Sequence, residues 1–232
     1  MKDIKDCTVL ISGGQKGLGA AFKLELEKLG AKVYTTSSQP DAPLHWDLKN
    51  PESTKELIQK LTEQNIEVDI FIHCAHIYSD KKLILQVKPE EFKNSLNANV
   101  VPVYELSRFL CRGMSRKGFG KVLFIGSLIS QYGGAGKVAY VTEKAALTGL
   151  TMAFHAEFNA KNVCVNIIHP NLFRTPDIEQ RVPREVIEQI KAASPTGDLL
   201  TIKDVMEAAF PFVDPTSTLS GESLLFDGGV SW

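Results

Sequence analysis

The chain has 232 residues, with 26 Lys or Arg against 27 Asp or Glu, a formal net charge of −1. That balance, without any run of like charge, argues against nucleic acid or a membrane surface as the main partner, and no segment approaches the roughly 18 apolar residues of a membrane-spanning helix. The start, MKDIKDCTVLISGG, is too short and too charged for a signal peptide, and Cys7, Cys74, Cys111 and Cys164 are scattered without a CxxC pair, so a cytoplasmic protein with reduced thiols is expected.

Taken in order, the elements alternate. CTVLIS (7–12) reads as a strand running into glycines, and LGAAFKLELEKLG (18–30) as a helix closed by Gly30. AKVYTTS (31–37) is a second strand. A helix follows over 51–64, opened by Pro51, and VDIFIHC (68–74) is the third strand. Residues 88–118 read as one long helix, with Pro102 either kinking it or sitting in a tolerated break. GKVLFIGS (120–127) is a strand, 138–161 a long apolar helix and VCVNIIHP (163–170) a fifth strand. Helical stretches at about 177–193 and 201–212 precede the closing GESLLFDGG. Nearly continuous apolar strands separated by helices predict a parallel sheet covered on both faces, in one doubly wound domain spanning 1–232.

In such a sheet, ligands bind at the carboxyl ends of the strands. The first strand ends in SGGQKGLG, where Gly13, Gly17 and Gly19 permit a tight turn and close approach to a pyrophosphate at a helix start. Tyr140 and Lys144 stand four apart on a predicted helix and share a face, so an ammonium can favour the phenolate of a residue with an ordinary pKa near 10. Ser127, 13 residues before Tyr140, ends the preceding strand and can bring a hydroxyl to the same place. Asn99 lies inside a predicted helix, where asparagine has modest propensity and needs a reason. The tetrapeptide His73-Cys74-Ala75-His76 at the third strand's end raises a metal site as one reading, but no third or fourth ligand accompanies it.

Together these residues resemble the short-chain dehydrogenase/reductase family over essentially the whole chain. SGGQKGLG is similar to its T-G-x-x-x-G-x-G, with Ser12 for threonine. Asn99, Ser127, Tyr140 and Lys144 match its catalytic tetrad, VNIIHPNLFRT its V-N-x-x-x-P-G-x-x-x-T with Asn171 for glycine, and VDIFIHCAH its V-D-x-x-V-N-N-A-G. His73–His76 thus resembles a variant cofactor-side strand end, with His76 in place of glycine. The resemblance is nearest to 3-oxoacyl-carrier-protein reductases.

The resemblance implies a Rossmann-like doubly wound parallel sheet with helices on both faces. It also implies hydride transfer between a nicotinamide and a ketone or alcohol. Tyr140 would donate the proton and Lys144 lower its pKa while holding the nicotinamide ribose. Ser127 would bond the substrate oxygen, and Asn99 would hold a water in a proton relay. The cofactor would lie against Ser12, Gly13, Gln15, Lys16, Gly17, Leu18, Gly19, Ser37, Ser38, Asp47, Cys74 and Ala75. Asn99, Tyr140, Lys144, Pro170, Phe173 and Thr175 would complete its site. No acid follows the second strand, where TTSSQ stands, and Lys16 can pair a 2′-phosphate, so NADP(H) is expected over NAD(H). Substrate would meet Ser127, Ile129, Gln131, Tyr132, Tyr140 and Asn171. A 3-oxoacyl group on a carrier protein and a specialised-metabolite ketone both stay open. Lys161, and Gly118 with Arg116 and Lys117 alongside, match the carrier-docking positions only in part. The spacer SSQPDAPLH is too short for the helix many relatives carry after the second strand.

Two long helices, apolar on more than one face, are expected to pair in a homotetramer or homodimer. The rival reading is a non-catalytic nucleotide-binding relative, favoured by the changes at His73–His76 and Asn171 and opposed by the intact tetrad. For His76 two placements are open: leaning into the loop, where His76→Gly leaves activity within a few-fold, or lining the active-site mouth.

Overall fold

Side chains alternate across a strand, and the apolar runs therefore supply two cores at once. The computed structural model describes residues 2–230, except the side chain of Glu179. In it the strands are β1 (Thr8–Ser12), β2 (Lys32–Thr36), β3 (Ile70–His73), β4 (Gly120–Ile125), β5 (Val163–Pro170) and β6 (Ser223–Phe226). They pair in parallel in the order β2-β1-β3-β4-β5-β6. Leu10, Phe71, Val122, Phe124 and Val165 face one core, closed by α2 (Pro51–Glu63), α4 (Val101–Lys117) and α6 (Val138–Phe158). Their neighbours Val9, Ile11, Ile70, Ile72, Leu123 and Ile125 face the other, covered by α1 (Gly17–Lys28) and α9 (Ile202–Ala209). This is the expected doubly wound sheet.

The remaining helices are α3 (Pro89–Asn99), α5 (Ile129–Tyr132), α7 (Ile178–Arg181) and α8 (Arg184–Ala193). The stretch 88–118 corrects the one-helix expectation: it is two helices that part at Val100, whose φ of −120° leaves the helical range. Pro102 has no N–H to give and would clash with the carbonyl four residues back. It is accommodated in the first turn of α4, where its missing donor costs nothing. Pro183 likewise divides 177–193 into α7 and α8. α5 was not foreseen in the sequence. Pro51 opens α2 as expected, with Asn50 Oδ1 before it accepting from Glu52 N at 3.1 Å, and Gly30 takes a left-handed φ of +88° after α1.

The short spacer after β2 leaves a remnant of pairing at the sheet edge. Ser37 bridges His45, with Trp46 N donating to Ser37 O at 2.8 Å. At the amino ends of the strands, Asp69 is buried and paired with Lys117 (2.6 Å) and Lys2 (2.8 Å). The chain leaves β1 for β2 on one side and returns as β3 on the other, so the switch point lies between the ends of β1 and β3.

Candidate active site

At that switch point the glycine turn is built against the end of β3. Gly13 has φ +68°, and a Cβ there would stand 3.0 Å from the backbone of Ala75. A Cβ on Gly19 would meet Gly13 O at 2.4 Å, so the start of α1 packs directly on the turn. Ser12 Oγ joins the two strand ends, accepting from Cys74 N (3.1 Å) and Ala75 N (3.2 Å) and touching His73 Nδ1 at 2.8 Å. Gln15 and Lys16 are exposed at the helix start, and Leu18 is buried beneath it. Ser37 and Ser38 follow β2. Asp47 accepts from Lys49 N at 2.9 Å, so one carboxylate oxygen braces its own turn. Cys74 is a thiol pushed up to about 12 by burial and is therefore unreactive.

The two histidines of the tetrapeptide part company. His73 is buried and bonded to Ser12, while the His76 ring lies edge-on to Tyr140 at 5.0 Å and to Tyr78 at 4.7 Å between centroids. The ring packs against Tyr140 without lining an open mouth, because its side chain is only 8% exposed and Nε2 faces Glu143. No group of three or more His, Cys, Asp or Glu side chains is disposed to hold a metal ion among the described residues.

Asn99 ends α3 and spends its amide on the segment after β3. Oδ1 accepts from Ile77 N at 2.8 Å, and Nδ2 donates to Ile77 O at 2.9 Å. That clamp is the reason for an asparagine at the helix end.

Ser127 follows β4, and Tyr140 and Lys144 project from the first turns of α6. Lys144 Nζ donates to Ile125 O at 2.9 Å, one peptide short of Gly126 and Ser127, and its ring-to-ammonium distance to Tyr140 is 5.9 Å. Burial drives the Lys144 ammonium down to about 8, with Glu143 and Cys74 opposing. Burial raises the Tyr140 phenol above its ordinary value and Tyr78 adds to this, while the hydrogen bond with Ser127 and the Arg181 charge lower it. The tetrad side chains thus converge at the carboxyl ends of β3 and β4, beside the glycine turn.

Beyond β5, Pro170 O accepts from Leu128 N at 3.1 Å and Phe173 packs into the α1–α9 core. Thr175 Oγ1 is held between Asp177 and Arg181. Asn171, expected against substrate, instead ties strand ends together: Nδ2 donates to Asp227 O and Oδ1 accepts from Leu172 N. Ile129, Gln131 and Tyr132 lie on α5, the last two exposed. A cavity of about 680 Å³ is lined by Arg174, Thr175, Ile178, Ile187 and Lys191, and it is not bordered by Ser127, Tyr140 or Lys144.

Several neighbours of the site had no expectation attached. His169 lies under Ser127, its Nδ1 accepting from Ser127 N at 3.3 Å, and a Cβ on Gly126 would strike that nitrogen at 2.3 Å. Arg181 stands 4.8 Å over the Tyr78 ring, which stacks on Tyr140 at 5.9 Å. Glu143 is buried against His76. Its signal was in the sequence, since it sits three residues after Tyr140 on the same helix face.

A family model described as enoyl-(acyl carrier protein) reductase matches residues 14–231. The chain belongs to the short-chain dehydrogenase/reductase family. Within it, the 3-oxoacyl-[acyl-carrier-protein] reductase FabG of Vibrio cholerae is 28% identical, covering 95% of this chain and 96% of its own. The FabG of Escherichia coli is 27% identical over the same shares. A solved structure described as a short chain dehydrogenase/reductase family protein is 25% identical, with a TM-score of 0.86 and 98% of each chain covered. The 3-oxoacyl (acyl-carrier-protein) reductase of Agrobacterium tumefaciens C58 with NADP bound shares the fold: 22% identity, TM-score 0.87, 98% of this chain and 95% of that one. The protein is an oxidoreductase of this family.

Proposed function

We propose that the protein reduces a ketone with NADPH, or runs the reverse oxidation, with Tyr140 as the proton donor. The observation that carries this reading is the convergence of Ser127, Tyr140 and Lys144 at the end of β4, with Ser127 near enough to the phenol to lower its pKa and Lys144 Nζ on the Ile125 carbonyl. A substrate carbonyl meeting both hydroxyls would be polarised by Ser127 and protonated by Tyr140. The Lys144 ammonium, 5.9 Å from the Tyr140 ring, would stabilise the phenolate left behind.

The turn that Gly13 and Gly19 let pack against the end of β3 and the start of α1, with open space at Gly17, suits a dinucleotide pyrophosphate at the start of α1. Ser12, Gln15, Lys16, Gly17 and Leu18 complete that side, with Cys74 and Ala75 beside them, and Phe173 and Thr175 would hold the nicotinamide end. When bound, the cofactor supplies the hydride. Exposed Lys16, together with Ser37 and Ser38 in place of an acid, supports NADP(H).

The relatives named for 3-oxoacyl groups on a carrier protein make such thioesters the first substrates to try. Docking of a carrier through Lys117 finds less support, because that ammonium is committed to Asp69 and the Val68 carbonyl. Free ketones therefore belong in the same panel. We also infer a homodimer or homotetramer, in a reducing compartment that suits four unpaired cysteines.

The test is NADPH oxidation over a panel of ketones and 3-oxoacyl thioesters. Turnover with some member is expected, falling at least ~10²-fold in Tyr140→Phe while NADPH still binds. Near-normal turnover in that variant would remove Tyr140 from its role, and silence across the panel would favour the non-catalytic relative. NADPH should be preferred at least tenfold over NADH, about 1.4 kcal/mol, with the margin shrinking in Lys16→Ala. Equal efficiency with NADH would refute the preference.

A further inference from the structure

Beside Tyr140 two buried side chains face one another with nothing else to bind. His76 Nε2 and Glu143 Oε2 stand 3.4 Å apart, on side chains only 8% and 2% exposed. Neither atom has a hydrogen-bond partner elsewhere among the described residues. A buried polar atom left unsatisfied is costly, so a proton between these two answers both needs. The placement is not accidental slack, because each side chain is held from a second direction. Ser95, on α3, donates its hydroxyl to Glu143 Oε1. The His76 ring is wedged between Tyr78 and Tyr140. Residue 76 follows β3, residue 143 lies on α6, and Asn99 clamps the intervening Ile77, so three elements fix the pair.

We propose that His76 and Glu143 form a one-proton dyad that keeps the Glu143 carboxyl uncharged beside Tyr140 and so spares the proton donor a repelling charge. The proposal rests on the reading of Tyr140 as that donor. The proton belongs on Oε2, donated to an unprotonated Nε2. Burial pushes His76 far below its ordinary value, and the cations Lys144 and Arg181 push it the same way. Burial also raises Glu143, against the opposing hydrogen bonds of Ser95 and Asn99 and the charge of Lys144. The groups facing the dyad are therefore Ser95 and Asn99 from α3, Lys144 and Tyr140 from α6, His73 from β3, Tyr78, and Arg181 from α7. None is a carboxylate that would compete for the proton.

The consequence concerns the phenol. A charged Glu143 raises the Tyr140 pKa, because a second negative charge nearby disfavours phenolate. By keeping the carboxyl protonated, His76 removes that penalty. The dyad neither gains nor loses a proton in the cycle, so both are positioning residues, and Tyr140 remains the group that reacts.

The experiment uses the full chain, labelled with ¹³C at glutamate carboxyls and ¹⁵N at histidine, titrated by NMR without substrate. Loss of a signal in Glu143→Gln assigns the carboxyl. A protonated Glu143 and a neutral His76 are expected from pH 6 to 8. In His76→Gly, water reaches the carboxyl, which should ionise by pH 7. The limb of alcohol oxidation that reports the phenol should then move up by at least about one pH unit. Glu143→Gln keeps an N–H aimed at Nε2 and cannot ionise. It should hold the limb at the wild-type position, and His76→Gly/Glu143→Gln should return it there. A carboxylate opposite an imidazolium in the wild type would overturn the dyad, as would a Glu143 signal and a pH limb that ignore His76→Gly. The NMR arm decides the protonation without turnover, so a chain inactive on every alcohol and ketone would sink the proposed reaction separately.

Discussion

Ser12 Oγ accepts two backbone N–H groups, so its own hydrogen is left for His73 Nδ1, and the imidazole proton sits on Nε2. His73 is buried among Trp46, Phe71 and Phe124 and is driven down to about 3, by burial first and by Lys144 second. An unfolded chain takes up that proton near pH 6.5, whereas the folded one does not until about 3. Stability contributed by this neutral histidine is thus complete above 6.5 and lost as pH falls toward 3, with a slope of up to ~1.4 kcal/mol per pH unit. His76 and His169 are held down by burial too and add to the same acid sensitivity. His73→Asn should leave turnover at neutral pH nearly unchanged while flattening the fall in urea-unfolding free energy between pH 6.5 and 5. An unaltered slope would mean that His73 is already charged in the fold. The same variant bears on metal: stoichiometric zinc lost with activity in His73→Asn would revive the metal reading.

The joint between β1 and α1 is where a single atom decides an element's position. A Cβ on Gly19 meets the Gly13 carbonyl oxygen at 2.4 Å and its carbon at 2.9 Å, both backbone atoms that cannot rotate aside. Gly19→Ala should lift the start of α1 from the turn, costing about 1–3 kcal/mol of stability. It should weaken NADPH binding at least tenfold in a fluorescence titration. Retained affinity would show that the turn can open without loss. This joint was legible in the sequence because its signals are local: an apolar run, three glycines, then helical spacing. The strands and the tetrad's helix were legible for the same reason. The division at Val100 was only half legible, since Pro102 required a kink or a break and the choice depended on how α3 and α4 pack. Arg181 and Tyr78 were missed because they lie far along the chain from Tyr140, whereas Glu143 shares a helix face with Tyr140 and only its partner His76 was out of reach. Asn171 was misread because its amide bonds the backbone at Asp227, 56 residues on.

At the scale of the whole molecule, the sheet and its two cores leave one helix face unexplained. Along α6, Ala145, Gly149, Met152, Ala153 and Ala156 are exposed and uncharged, with Glu157 at the end of the stripe. Met152 is 42% exposed, and on the neighbouring α4 Val101 and Tyr104 are each 44% exposed. Tyr104 and Phe158 both lie against Phe154, so the apolar stripe of α6 runs on to the start of α4, where exposed Arg108 and Arg112 then border it. A helix of a monomeric protein ordinarily turns charged residues outward along such a stripe. Gly149 and Gly113 add a second sign: a Cβ on either meets nothing within 4 Å, yet glycine in a helix costs about 1 kcal/mol relative to alanine. Close approach of a second copy gives both glycines a purpose, and a closed two-fold pairing of α4 and α6 would bury the stripe against itself. Light scattering at micromolar concentration should therefore give the mass of a dimer or tetramer. Ala153→Glu places a charge in the middle of the stripe without touching either core, so it should reduce that mass while leaving the far-ultraviolet circular dichroism intact. A wild-type monomer would remove the proposal, and an unchanged assembly in Ala153→Glu would move the interface to another face.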